Sequence, residues 1–152
     1  MVAPLDKWDI RFLRVAREVA DWSKDPGTRV GSVLVKDRRI IATGYNGFPA
    51  GISDSFDRYA DREVKLSLTV HSEVNALLNA AKNGSQTKDA TLYVTFPPCV
   101  NCATCIVQAG IVEVVSPHIE TSPERWRCNF ETGLKVLQEA GISVKSYIPE
   151  EL

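Results

Sequence analysis

One histidine, one glutamate and two cysteines are the residues of this 152-residue chain whose types and spacing could do chemistry. They lie in two short segments, His71-Ser72-Glu73 and Pro98-Cys99-Val100-Asn101-Cys102. Zinc prefers imidazole nitrogen and thiolate sulfur in a tetrahedron, and a catalytic zinc keeps its fourth position for water. We therefore expect His71, Cys99 and Cys102 to be the three protein ligands of a catalytic Zn²⁺.

The glutamate of the first segment is the expected catalytic residue. Glu73 follows His71 by two positions and lies in the first turn of a predicted helix, so it can reach the metal site without binding the metal. A carboxylate beside a zinc-bound water is the arrangement that proton shuttling needs. The pattern H-x-E followed by P-C-x-x-C resembles the signature of zinc deaminases, in which hydroxide attacks C4 of cytosine. Glu73 would then carry the proton to ring nitrogen N3 and later to the departing ammonia.

Two other interpretations of the cysteines are considered. Cys105 falls one helical turn beyond Cys102 and could close the zinc site as a fourth ligand. A closed site would leave Glu73 without a role, and a redox C-x-x-C pair would explain neither His71 nor Glu73. We expect an open site, with Cys105 as a small packing residue.

The elements that must position these residues follow from hydrophobic periodicity and turn residues. Apolar residues from Trp8 to Trp22 recur at spacings of three and four, which predicts an amphipathic helix. Residues 30–35 and 39–45 predict a hairpin, whereas the polar stretch that ends near Thr69 shows no clear pattern. The later elements are helix 71–83, strand 91–94, helix 99–109, strand 111–115, a helix begun by Ser122 as N-cap and Pro123 as first residue, and strand 142–148.

This order of elements predicts the fold class. Alternating helices and strands in the second half imply parallel strands covered by helices, next to the antiparallel hairpin. We expect an α/β fold, a three-layer α/β/α sandwich around a five-stranded mixed sheet, formed as a single domain by residues 1–152. His71 and Cys99 each begin a helix, so two helix N-termini would point into one crevice and favour ionised thiols there.

Composition limits the partners. The chain has 18 basic and 19 acidic residues and no basic stripe, which argues against binding to long nucleic acid but suits a small nucleotide. No apolar run approaches the roughly 20 residues of a membrane span, and the N-terminus lacks the pattern of a secretory signal. These observations favour a cytoplasmic protein without a membrane partner.

The chain resembles the deoxycytidylate (dCMP) deaminase branch of the cytidine deaminase superfamily. Besides the two metal segments, the segments that carry the resemblance are Trp22–Pro26 with Thr28, Val30 and Gly31, Gly44–Pro49 with Gly51, Leu92–Thr95, and Gln108–Ile111. The resemblance implies hydrolytic deamination of dCMP to dUMP with Zn²⁺ as cofactor. It also implies dCTP and dTTP as effectors, because the Gly44–Gly51 loop resembles a regulatory region, and a homo-oligomer, either a hexamer or a dimer.

The resemblance also implies roles for residues around the base, sugar and phosphate. Asn46 resembles the residue that hydrogen-bonds the sugar hydroxyl, and Val30 resembles the apolar residue that lies against the base. The other expected substrate contacts are Lys24, Thr28 and Arg29 near the 5′-phosphate, and Ser72 and Pro98 within the two metal segments. Purely structural roles are the alternatives: a tight turn for Asn46, core packing for Val30, and solvated surface for Lys24 and Arg29.

Three departures from the family pattern leave alternatives open. Ser72 stands where the family often has alanine, Pro97-Pro98 replaces a single proline, and residues 116–127 do not match the loop that often contacts the nucleotide. His118 and Trp126 are therefore candidates without an assigned place. The alternative substrates are another cytosine nucleotide, a 5-substituted dCMP, a free base or tRNA. A non-catalytic zinc-binding module is the alternative if the protein is not an enzyme.

Overall fold

The computed structural model describes residues 4–152, in which five strands form one mixed sheet. The strands are β1 (Gly31–Lys36), β2 (Arg39–Tyr45), β3 (Thr91–Val94), β4 (Glu113–Pro117) and β5 (Ser143–Tyr147). Their spatial order is β2-β1-β3-β4-β5. β1 runs antiparallel to both β2 and β3, whereas β3, β4 and β5 are parallel to one another. The predicted mixed sheet, with its hairpin and its parallel half, is confirmed.

Helices cover both faces of this sheet. They are α1 (Lys7–Ala20), α2 (Phe56–Ala60), α3 (Arg62–Leu68), α4 (Ser72–Lys82), α5 (Val100–Gln108) and α6 (Glu124–Glu139). Short 3₁₀ turns at Ile119–Thr121 and Pro149–Glu151 complete the regular structure. Within residues 4–152, every helix is too short or too polar to cross a lipid bilayer.

Two separate apolar clusters show that the sheet is the middle of three layers. Neighbouring residues of β1 point to opposite faces, as strand geometry requires, so that Val33 belongs to one cluster and Leu34 to the other. Leu13 of α1 packs on the first face, whereas Ala76 of α4 and Ile106 of α5 pack on the second. The predicted α/β/α sandwich is therefore confirmed, with α1 on one side and α4, α5 and α6 on the other.

The start of α6 differs from the prediction. Ser122 is not the N-cap, because the helix begins at Glu124 and the N-cap position is occupied by Pro123. The backbone of Pro123 accounts for this difference, because its ψ of 135° is not helical and the helix can begin only after it. The Oγ atom of Ser122 is buried and has no hydrogen-bond partner among the described residues. The fourth strand also begins two residues later than predicted, at Glu113.

The polar stretch that gave no clear pattern contains α2 and α3. Neither helix has a buried residue, so neither shows the apolar stripe on which helix prediction depends. The beginning of α3 is set instead by a polar cap: the Asp61 side chain accepts the N–H groups of Glu63 and Val64, at 3.1 and 3.2 Å. An aspartate at this position was the only local signal for the helix.

Candidate active site

The beginnings of α4 and α5 bring three potential metal-binding atoms together. His71 is the N-cap residue of α4, Cys99 is the N-cap residue of α5, and Cys102 lies in the first turn of α5. The His71 Nδ1 atom is 3.3 Å from Cys102 Sγ and 3.5 Å from Cys99 Sγ. The three donor atoms lie within 4.8 Å of one another. The structure therefore gathers into one cluster the three residues that the sequence predicts to be ligands.

The geometry of this cluster fits zinc. Bonds of about 2.0–2.1 Å from zinc to nitrogen and about 2.3 Å to sulfur, at tetrahedral angles, place the nitrogen and sulfur atoms about 3.5 Å apart. Both nitrogen–sulfur distances in the cluster, 3.3 and 3.5 Å, are close to this value. Cys105 is exposed to solvent and does not belong to the cluster in the described part of the chain. Three side-chain donors would leave the fourth position of a tetrahedral ion open to water.

The helix N-terminus and the neighbouring groups also prepare the cysteines to bind a cation. Hydrogen bonds from Cys102 and from His71 lower the pKa of the Cys99 thiol to about 4. The backbone N–H of Cys102 also donates to Cys99 Sγ, at 3.5 Å. The hydrogen bond with Cys99, supported by burial, raises the pKa of Cys102. The two cysteines therefore share a proton in the metal-free site, and metal binding requires both thiols to be deprotonated.

The carboxyl group of Glu73 is buried beside this cluster, in the first turn of α4. Desolvation raises the pKa of Glu73, and a hydrogen bond from the Ser72 hydroxyl opposes that shift. The Ser72 Oγ donates to Glu73 Oε1 at 2.6 Å and lies 2.7 Å from Ser32 Oγ. Because Ser72 has only one hydroxyl proton, Ser32 donates to Ser72 when Glu73 is ionised. A chain of two buried hydroxyls therefore holds one oxygen of the carboxylate in place.

Two glycines let neighbouring elements approach the ligand-bearing segments closely. A Cβ atom at Gly44 of β2 would lie 2.5 Å from the carbonyl oxygen of Ser72. A Cβ atom at Gly133 of α6 would lie 2.9 Å from the carbonyl oxygen of Pro98. Both contacts are closer than a real Cβ tolerates, so these positions accept only glycine without backbone movement. The two metal segments are thus fixed by backbone packing from β2 and α6.

The cluster and the carboxylate open into a cavity of about 330 Å³. This volume is at the lower end of the range of small-molecule sites, about 300–1,000 Å³. His71, Ser72, Glu73 and Cys99 line one part of it, and the aromatic side chains of Phe96, Trp126 and Phe130 line another. The cavity can therefore hold a flat polar ring next to the metal donors and exclude water around it.

Four of the seven residues predicted to contact substrate line this cavity: Val30, Thr28, Asn46 and Ser72. The Asn46 side chain is also used within the cavity wall, since Oδ1 accepts the N–H of Val30 and Nδ2 donates to the carbonyl of Thr28, each at 2.8 Å. It therefore fixes the loop that presents both residues. These bonds join Asn46 to residues far earlier in the chain, so a purely local turn at Asn46 does not account for them.

The other three, Lys24, Arg29 and Pro98, are not part of the cavity lining. Lys24 is exposed and pairs with Asp54 at 2.6 Å. The Arg29 Nε donates to the backbone carbonyl of Asp25 at 3.5 Å. Their roles as substrate contacts stay predictions, and the structure places them outside the pocket that the other four share.

The structure also gives places to the two unassigned candidates. Trp126 lines the cavity, whereas His118 lies outside it, where its Nδ1 accepts the N–H of Glu120 at 3.3 Å. Sequence reasoning missed further lining residues: Asp25, Arg62, Lys65, Phe96, Arg125 and Phe130. Arg62 and Lys65 lie on α3, which had no periodic signal. Arg125 is adjacent in the sequence to Trp126, which was already a candidate, and this position was the signal that could have identified it.

Comparison with known proteins agrees with this geometry. The family described as "Cytidine and deoxycytidylate deaminase zinc-binding region" matches residues 6–117. The fold and the His/Cys/Cys cluster define a hydrolytic deaminase with a zinc-binding region. The chain belongs to the cytidine and deoxycytidylate deaminase family.

Individual relatives extend the match over nearly the whole chain. An "Uncharacterized deaminase in luxG 3'region" of Aliivibrio fischeri is 38% identical, over 97% of this chain and 98% of its own length. The deoxycytidylate deaminase of Homo sapiens is 35% identical, over 95% of this chain and 82% of its own length. The crystal structure of the dCMP deaminase from cyanophage S-TIM5 in complex with dCMP and dUMP has a TM-score of 0.77 and 26% identity, covering 95% of this chain and 100% of that protein.

Proposed function

We propose that this enzyme converts dCMP to dUMP with release of ammonia, and that His71, Cys99 and Cys102 hold the zinc ion that the reaction requires. The observation that carries the proposal is the buried carboxylate of Glu73 beside three donors spaced for a tetrahedral metal, inside a cavity of about 330 Å³. The human and cyanophage relatives support this choice of nucleotide by their names, and the cyanophage structure contains dCMP and dUMP.

The proposed reaction adds water to C4 of the cytosine ring and breaks the bond from C4 to the exocyclic nitrogen. When bound, zinc lowers the pKa of water and so supplies a hydrolytic nucleophile near neutral pH. Glu73 accepts the proton that water loses and delivers it to ring nitrogen N3. Glu73 then takes the proton of the new C4 hydroxyl group and passes it to the exocyclic nitrogen, so that ammonia leaves as the C4 carbonyl forms. Desolvation raises the pKa of Glu73, which makes the group better able to accept and return this proton.

The remaining cavity residues would bind and orient the nucleotide. Val30, which lines the cavity, provides an apolar surface for the base. Asn46, which lines the same cavity, would contact the sugar in addition to its bonds to Val30 and Thr28. Phe96 and Trp126, which line the same cavity, would exclude bulk water from around the base and so strengthen the electrostatic interactions of Glu73.

The direct test replaces Glu73 by glutamine, which keeps the shape of the side chain but not its proton chemistry. We expect Glu73→Gln to retain zinc and to lose about 10²–10⁴-fold in turnover of dCMP, measured by ammonia release and by the ultraviolet change of the base. Glu18→Gln is the matched control, because Glu18 is exposed on α1 and remote from the cavity lining. A Glu73→Gln variant with wild-type turnover would contradict the proposal.

The choice of substrate is tested with the wild-type enzyme. The panel contains dCMP, CMP, dCTP, 5-methyl-dCMP, free cytosine and a tRNA stem-loop. We expect dCMP to have the highest kcat/KM of the panel. Faster turnover of another member would keep the zinc chemistry but reassign the substrate, and turnover of none would favour a non-catalytic zinc-binding module.

A further inference from the structure

Three cationic side chains line the cavity and have no part in the proposed proton transfers. Arg62 and Lys65 come from α3, and Arg125 comes from the first turn of α6. Lys65 has a carboxylate partner, since Asp25 is 5% exposed and its Oδ1 lies 2.9 Å from Lys65 Nζ. The charge of Lys65 is therefore already balanced within the protein.

The two arginines differ from Lys65 in having no such balance. Among residues 4–152, neither Arg62 nor Arg125 forms an ion pair or donates a hydrogen bond from its guanidinium group. The guanidinium of Arg125 lies 5.7 Å from the ring centroid of Trp126, which orients it without using its donors. Arg127, two residues later, is a contrast, because it donates to the carbonyls of Ser122 and Glu120 at 3.2 and 3.0 Å.

We propose that Arg62 and Arg125 together bind the 5′-phosphate of the substrate. This inference rests on the proposed function and names the part of the site that selects a nucleoside monophosphate over a nucleoside. A phosphate monoester carries a charge of about −1.5 to −2 near pH 7, which two free guanidinium groups balance. Arginine also matches phosphate geometry with paired N–H donors. This site is an alternative to the one that the sequence suggested at Lys24 and Arg29, which are not part of the cavity lining.

The subsite joins two elements that are otherwise far apart in the chain. α6 is anchored by buried Phe130 and Leu137, whereas α3 has no buried residue and is attached at the cavity through the pair of Lys65 and Asp25. A phosphate shared by Arg62 and Arg125 would therefore link a helix without buried residues to a helix with buried anchors. Binding of a monophosphate should slow the hydrogen exchange of α3 amides, and binding of the matching nucleoside should not.

The main experiment measures kcat/KM for dCMP and for deoxycytidine with zinc-loaded wild type, Arg62→Gln, Arg125→Gln and the double variant. Each single change should lower kcat/KM for dCMP by about 10- to 100-fold, mainly through KM, and leave the value for deoxycytidine within about twofold. Arg125→Lys should recover part of the loss. Arg14→Gln, at an exposed position on α1, is the control and should change neither value.

Three results would overturn the subsite. Equal losses for dCMP and deoxycytidine would show a structural role for the arginines, and unchanged values for both would place the phosphate elsewhere. The third is that dUMP binds wild type and the double variant with equal affinity in a calorimetric titration with deoxyuridine as reference. That titration does not depend on turnover, so an enzyme that binds dUMP through the arginines but fails to deaminate dCMP would contradict the proposed function alone.

Discussion

The cavity has two walls that differ in how they are held. The inner wall, residues 71–73 and 98–102, contains Ser72, Glu73 and Cys102, which are 0%, 4% and 1% exposed. The outer wall, residues 56–68, has no buried residue in either of its helices, and Phe56 in it is 84% exposed. Both walls are helical, so the difference lies in packing and not in secondary structure.

This difference matches what each wall has to do. Proton transfer needs groups held at fixed positions, and a small displacement at the reacting centre is costly. Binding and release need a surface that can move, and such surfaces have few buried contacts. Contacts that tie the outer wall to the rest of the molecule include the pair of Lys65 and Asp25 and the Phe48–Tyr59 stack, with centroids 4.3 Å apart.

The largest expected effect comes from breaking the inner wall at a metal donor. Cys99→Ala should abolish stoichiometric zinc binding and lower turnover by several orders of magnitude, because two side-chain donors no longer define a tetrahedral site. Zinc content by elemental analysis and ammonia release would be measured together. Cys105→Ala is the matched control, since this exposed cysteine lies outside the donor cluster and should change neither value. Zinc retained by Cys99→Ala but lost by Cys105→Ala would reverse the assignment.

A smaller effect is expected from disturbing the support of the inner wall. Gly44→Ala adds a Cβ atom that meets the backbone of Ser72 and Ala76, so β2 or α4 must shift. We expect a loss of about 1–3 kcal/mol in stability, which for a chain of this size lowers Tm by roughly 3–10 °C. Gly47→Ala is the control, because a Cβ atom there meets nothing within 4 Å. Equal melting temperatures for the two variants in thermal denaturation would show that β2 does not hold the catalytic segment.

The smallest effect is expected at the outer wall. Lys65→Met removes an ion pair whose side chains are 24% and 6% exposed, so α3 should open more often. Hydrogen exchange of α3 amides should become roughly fivefold faster, the factor equivalent to about 1 kcal/mol, while Tm changes little. Lys24→Met removes a pair that is 70% and 43% exposed and serves as the control. Exchange that accelerates throughout the protein would mean that the two walls are not independent.

The sequence predicts the inner wall well because its signals are local and specific. Each metal segment combines residue types that only one chemistry explains, and each begins a helix with a clear apolar face. The structure gathers His71, Cys99 and Cys102 within 4.8 Å, next to buried Glu73. The mixed sheet was predictable for a related reason, because strands such as β1 and β3 are short apolar runs between turn residues.

The outer wall could not be predicted in the same way. Its helices bury no side chain, so nothing in the sequence repeats with a helical period. The place of Arg62 in the cavity depends on where α3 lies in the folded chain, and Arg29, closer to the recognisable segments, falls outside the lining. The Ser122 cap was wrong because the backbone of Pro123 is not helical, a conformation that the Ser-Pro signal does not reveal.

The absence of buried side chains from α2 and α3 has a consequence for how this scaffold can diversify. Core stability does not depend on the length of a segment that contributes nothing to the core, and closing a longer surface loop costs little entropy. Insertions and deletions between Gly51 and Thr69 are therefore the cheapest route by which evolution, or an engineer, can reshape the entrance for larger or smaller ligands. Such insertions and deletions would leave the three metal donors and Glu73 unchanged.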